Sequence, residues 1–128
     1  MSTLPFDPAI ESYVSLATYR RNGTEVKTPV WIAAAGGRYY VFSAGDAGKV
    51  KRIRVTSKIR LAACDVRGKV SSGWIDGDAR IVSDTPTIAV ALRALRAKYG
   101  WKMRIGDFFA TLSGRMRKRA YIEIVLKK

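Results

Sequence analysis

The amino-acid sequence predicts a mainly β domain, an antiparallel β-barrel with peripheral helices, and three observations predict it. Apolar residues alternate with period two along most of the chain, the pattern of strands with one buried face. The alternating runs are joined by short glycine-containing turns, the usual link between antiparallel neighbours. The elements run as three strands, a short helix, two strands, a longer helix and a last strand. That order departs from the strand–helix alternation of a doubly wound sheet and suits a closed or partly closed barrel with helices at its rim.

The first strand runs from Tyr13 to Arg20, with Val14, Leu16 and Thr18 on one face. Asn22-Gly23 is a hairpin signal. From Val26 to Ala34 a single second strand is expected, in which Val26, Thr28, Val30 and Ile32 alternate with Lys27, Pro29, Trp31 and Ala33. Gly36-Gly37 turns the chain into a third strand over Arg38–Ser43. Between Ala47 and Thr56 the spacing lengthens: Val50 and Ile53 are three apart, and Lys49, Lys51, Arg52 and Arg54 cover the rest, as in a short basic helix. Ile59–Val66 and Gly73–Val82 read as strands around a turn at Arg67-Gly68-Lys69. Asp84 then supplies a cap, with Pro86 just inside a helix. Ile88, Leu92, Leu95 and Tyr99 form one stripe of that helix up to about Gly100, with Arg93, Arg96 and Lys98 off it. Trp101–Gly114 reads as a loop with a helical turn around Phe108, and Ala120–Leu126 as the final strand. There is no repeat, low-complexity tract or linker, so residues 1–128 are expected to form one domain.

Composition narrows the chemistry. A chain of 128 residues, 48% hydrophobic and 27% charged, can bury one core without staples. Its single cysteine, Cys64, lies among Leu61, Ala62 and Ala63, so it reads as a buried thiol and offers no internal disulfide. Residues Met1 to Pro8 lack the basic start and apolar core of an export signal, and no apolar run approaches the roughly 20 residues of a membrane span, so a soluble cytoplasmic protein is expected. There is no histidine: imidazole general bases, serine–histidine or cysteine–histidine pairs and imidazole metal ligands are excluded, and no metal site is expected. Asp76 and Asp78 alternate on one strand and need no reading beyond an outward face. The net charge of +14 points either to an anionic partner or to a solvated basic surface.

Two stretches carry candidate chemistry. Ser43, Gly45, Gly48, Lys49, Lys51 and Arg52 place a hydroxyl, two glycines and three cations at the opening of a helix, a combination suited to phosphate. A P-loop is not formed, since Ser43 stands at its first glycine and Val50 follows the lysine. Thr28-Pro29-Val30-Trp31 is the second: the proline removes a ladder donor, which places the stretch at an edge, a bulge or a ligand contact, and Trp31 is either a core side chain or a flat surface for a ring. Tyr39-Tyr40 and Phe108-Phe109 read as core or interface, and Arg115–Arg119 as a basic run that meets phosphates or solvent.

The ordered set Thr28-Pro29-Val30-Trp31, Tyr40–Ser43, Gly48–Arg54 and Ile59–Ala62, followed by Trp74–Val82 and Lys98-Tyr99-Gly100-Trp101, resembles the pyridoxamine 5'-phosphate oxidase-like superfamily. It is most similar to the branch that uses the deazaflavin F420. The resemblance implies a six-stranded antiparallel split barrel of the FMN-binding type. It also implies a homodimer with cofactor in clefts at the subunit interface. It places Lys49, Lys51 and Arg52 on the cofactor phosphate with Ser43 beside them, and Thr28, Pro29, Val30 and Trp31 along the ring system. Many relatives have asparagine where this chain has Arg52. The implied activity is hydride transfer from F420 to an unsaturated or quinone-like small organic substrate, with no catalytic side chain of the protein's own. FMN is the alternative cofactor. A non-enzymatic cofactor-binding protein and a nucleic-acid-binding basic barrel are the other readings. Against the latter, the cations do not interleave with aromatics along one strand face.

Overall fold

The computed structural model describes residues 4–100, 102–105 and 119–127. In chain order these form β1 (Tyr13–Tyr19), β2 (Glu25–Val30), β3 (Ala33–Ala35), β4 (Arg38–Ala44), α1 (Gly48–Val55), β5 (Lys58–Cys64), β6 (Ile75–Val82), α2 (Thr85–Tyr99) and β7 (Arg119–Leu126). Trp101, Phe108, Phe109 and the basic positions 115–118 lie outside the described residues.

The strands make one antiparallel sheet in the order β2-β1-β5-β6-β7-β4-β3. Its two edge strands are consecutive in the chain, with only Trp31 and Ile32 between them. In a flat sheet, six steps of about 4.8 Å would hold those edges some 29 Å apart. The three Cα steps from Val30 to Ala33 span at most about 11 Å. The sheet must therefore curl until its edges meet. Closure is covalent: β2 pairs with β1, β3 pairs with β4, and no ladder joins β2 to β3. The result is a split barrel, mainly β with peripheral helices, as the sequence predicts.

The strand count differs from expectation. There are seven strands in place of six, because the run expected as one strand over 26–34 changes partner at Trp31-Ile32. Period-two alternation reports which face a residue occupies and is silent on which neighbour its backbone bonds. At the corner the backbone of Ile32 leaves both ladders and is taken over by α2: its N–H donates to the Tyr99 hydroxyl at 2.9 Å, and its carbonyl accepts from Lys98 Nζ at 2.6 Å. Lys98 also donates to the carbonyls of Pro8 at 3.2 Å and Glu11 at 2.6 Å. The Tyr99 hydroxyl has a single proton, which the carbonyls of Ser12 at 2.9 Å and Ile32 at 3.1 Å compete for. One end of α2 thus clamps the corner and the segment ahead of β1.

Val14, Leu16, Val30, Ile32, Val41, Ile53, Ile59, Leu61, Ala79, Ile122 and Ile124 fill the barrel interior. The Ile53 in that set comes from α1, which buries Val50 and Ile53 as their spacing predicts. α2 begins where the Asp84 carboxylate accepts from the Thr87 N–H, ends at Gly100 with φ 56°, and lays Ala91 and Leu95 on the outer face of the sheet with Ile88 and Leu92 beside them. Cys64 is buried and unpaired in a disulfide. Among the described residues no helix is long and apolar enough to cross a membrane.

Two expected outcomes test the clamp. Tyr99→Phe removes a partner from the Ile32 N–H and should lower unfolding free energy in urea by about 1–3 kcal/mol. Burial pushes the Lys98 ammonium down to about 8 from the ordinary 10.5, against the upward pull of Glu11 and Asp7. Between those values the unfolded chain holds a proton that the folded chain has shed, so this group makes stability rise with pH from about 8 to about 10.5. That rise should be missing in Lys98→Met when urea midpoints are compared across the same range.

Candidate functional site

The seam of the barrel widens away from the corner. β3 covers β4 only along Arg38–Tyr40, so among the described residues Val41–Ala44 has β7 on one side and no strand on the other. β2 likewise has β1 on one side only, the edge position in which a strand tolerates Pro29. A slot therefore lies between the outer edge of β2 and the second half of β4.

Register places the side chains that line it. Val14, Leu16 and Thr18 of β1 lie opposite Val30, Thr28 and Val26 of β2, and cross-strand partners share a face. Val14, Leu16 and Val30 are interior, so Thr18 and Thr28 point inward too. On β4, Val41 is interior and Ser43 is two residues on, hence also inward. α1 reaches both sides of the seam: Lys49 Nζ is 3.4 Å from Ser43 Oγ on β4, and Arg52 Nε donates to Thr18 Oγ1 on β1 at 2.6 Å.

Among the described residues no carboxylate pairs with Lys49, Arg52 or Arg20. Burial and then the neighbouring Arg52 pull the Lys49 ammonium below its ordinary range; burial and then Arg20 do the same to Arg52. α1 also starts without a side-chain cap or an acidic residue in its first turn. On β2, next to the β1 strand that carries Thr18, the buried hydroxyl of Thr28 has no hydrogen-bond partner among the described residues. The arrangement can take an anionic group at Lys49 and Arg52 and a hydrogen-bonding atom at Thr28.

Of the residues singled out from sequence, Thr28, Ser43, Lys49 and Arg52 face the interior at this slot. Val30 packs in the core at 7% exposure. Pro29 is exposed on the outer face, and Lys51 is exposed on α1. Trp31 lies outside the barrel wall under α2, its ring stacked on Tyr99 at 4.4 Å and 8° and edge-on to Phe42 at 6.2 Å. Thr18 was not picked out from sequence. Its signal is a hydroxyl sitting in phase with Val14 and Leu16 on the buried face.

No family model matches the chain, and no curated protein sequence does. Solved structures with the same fold do match. An F420 reductase superposes with a TM-score of 0.61 at 20% identity, over 94% of this chain and 90% of its own. A FAD-binding protein of Mesorhizobium loti gives 0.60 at 14%, over 94% and 82%. The heme storage protein HutZ of Vibrio cholerae gives 0.69 at 11%, over 94% and 85%. The structural neighbours also include a Listeria innocua protein named for pyridoxamine 5'-phosphate oxidase, so proteins named for F420, FAD, pyridoxamine phosphate and heme share this fold. At these identities the common property is the fold.

The Thr28 hydroxyl gives a stability test of the site. A buried hydroxyl without a partner costs free energy, so Thr28→Val should leave the ligand-free protein as stable or more stable, by up to about 1 kcal/mol. A clear fall in melting temperature in this variant would show that the hydroxyl is satisfied in the free protein.

Proposed function

We propose that the chain is an oxidoreductase that binds the deazaflavin F420 in the seam of its barrel and reduces an unsaturated or quinone-like small organic substrate. The observation that carries this reading is the uncompensated pair Lys49 and Arg52, partly buried, with an orphaned Thr28 hydroxyl on β2, in the slot between the sheet edges. These residues fit such a cofactor. The cations suit its phosphodiester, and Thr28 suits a polar atom of the ring or its polyol.

When bound, F420 supplies hydride from a ring carbon. The chain's own residues bind, orient and exclude water. Lys49, steadied by Ser43, and Arg52, steadied by Thr18, neutralise the anionic part and fix its place. The edge of β2 presents backbone groups toward the slot, of which Pro29 offers only its C=O, and these hold a flat polar ring without any side-chain acid or base. Trp31 stacks on Tyr99 and stiffens the corner from outside. The chemistry is thereby left to the cofactor, in keeping with a chain that has no histidine.

FMN carries a phosphate and a comparable ring, and the FAD-binding neighbour supports it as the second reading. Arg52 favours the more acidic F420. A heme held by histidine does not fit, because the chain has none. A nucleic-acid binder would show affinity that collapses steeply with added salt.

Equilibrium titration of the purified protein with reduced and oxidised F420 and with FMN tests the proposal. F420 should bind more tightly than FMN. Lys49→Ala should weaken F420 binding about 10- to 100-fold, the worth of one or two charge-assisted hydrogen bonds. Unchanged affinity in that variant removes the phosphate assignment.

A further inference from the structure

A cation at the first turn of a helix faces the positive end of the helix dipole, where an anion is favoured. Arg52 is nonetheless folded there. A Cβ built on Gly48 would meet Arg52 Nη1 at 2.6 Å and Cζ at 3.4 Å, so the guanidinium lies against the bare backbone of the first turn. A methyl group at residue 48 would displace the far end of the Arg52 side chain from this position. Gly48 is not required by its backbone, since it is not among the residues with positive φ. The second fixture is Thr18, whose hydroxyl accepts from Arg52 Nε and leaves the two terminal amino groups of the guanidinium uncommitted among the described residues. Lys49 follows Gly48 in the same first turn, so the guanidinium folded over Gly48 brings the second cation to the helix start that Lys49 occupies.

We infer that Gly48 and Thr18 are positioning residues that hold Arg52 beside Lys49, making the seam selective for ligands that carry two anionic groups in tandem over ligands with a single phosphate. This rests on the proposed anion site at Lys49 and goes beyond it by naming the residues that set its valence. A single phosphate, with up to two negative charges on one phosphorus, can meet Lys49 and the helix N-terminus but reaches both cations only by sharing its oxygens between them. Two anionic groups in tandem meet Lys49 and Arg52 separately and offset the repulsion between the cations more fully. A pyrophosphate and a phosphodiester followed by a carboxylate both present that chemistry.

Selectivity separates this role from a structural one. The affinities of the whole protein for inorganic pyrophosphate and for inorganic phosphate are measured by calorimetry at fixed pH and ionic strength, and melting temperature is recorded for each variant. The native chain should prefer pyrophosphate about tenfold or more, the worth of one added charge-assisted hydrogen bond. Arg52→Asn should lose that preference while still binding phosphate. Gly48→Ala and Thr18→Val release Arg52 by different routes and should give the same reduced ratio, and Gly48→Ala combined with Arg52→Asn should lower it no further than either alone. A preference that survives both Gly48→Ala and Thr18→Val in folded protein overturns the inference, as does a native chain with no preference. The oxidoreductase reading fails separately: pyrophosphate selectivity with no affinity for F420 or FMN would leave the inference standing and remove the coenzyme, whereas coenzyme binding with an unmoved ratio would do the reverse.

Discussion

The structure depends on satisfying the backbone of Ile32. A sheet whose two edges are joined by two residues has to bend sharply there, and a sharp bend takes the backbone out of both ladders. Buried N–H and C=O groups without partners are costly, so the corner is affordable only where something else bonds them. Tyr99 and Lys98 do so from the last turn of α2, and the same two side chains secure the carbonyls of Pro8, Glu11 and Ser12. Holding the edges together at this one point lets them part farther along. The clamp and the slot are two consequences of the same covalent closure.

Against this frame the charge distribution becomes informative. Elsewhere the partly buried ions are compensated. Glu123, 4% exposed, accepts from Arg38, Arg80 and Tyr40; burial pushes its carboxyl up, yet those donors, Arg80 first, hold it below the ordinary range. Glu25 is bonded by Arg60 and Tyr19. Lys98 rests on carbonyls. Lys49 and Arg52 are different: their partners are two hydroxyls, and the charges that bear on them are the like charges of Arg52 and Arg20. With 24 basic and 10 acidic residues in the chain, surplus positive charge was certain, but nothing in that surplus required it to be half-buried at a seam. Exposed excess charge is cheap; buried excess charge is what calls for an anion.

Much of this was legible in the sequence, and the gaps have physical causes. Alternation, glycine turns, the lengthened spacing at Val50 and Ile53 and the Asp84 and Pro86 cap located the strand regions, the short basic helix and the longer helix. They could not show the break at Trp31-Ile32, since the residues on either side keep the same alternation while the pairing partner changes. The basic helix and its serine were visible as a cluster, because Ser43, Lys49 and Arg52 are close along the chain. Thr18 was not, being 34 residues from Arg52, and neither was the use of Gly48 as clearance for a side chain on its own helix. In the sequence Lys98 lies only off the apolar stripe, with no partner indicated. Its function as a carbonyl clamp depends on chain segments more than 60 residues away.

The neighbours in structure show how far the architecture itself can decide function. The same barrel appears in proteins described by F420, FAD and heme, so the curled sheet specifies a slot and leaves its occupant open. What differs between occupants is the chemistry demanded of the slot walls: an axial ligand for a heme iron, a cationic socket for a phosphate, hydrogen-bonding edges for a flat polar ring. In this chain the walls hold two cations, a serine, two threonines and a free strand edge, and the sequence contains no histidine. That set is what supports proposing an acidic, ring-bearing organic cofactor in place of a metalloporphyrin. The discrimination therefore rests on a few side chains at the seam, and the fold's part is to bring α1, β1, β2 and β4 close enough for those side chains to act together.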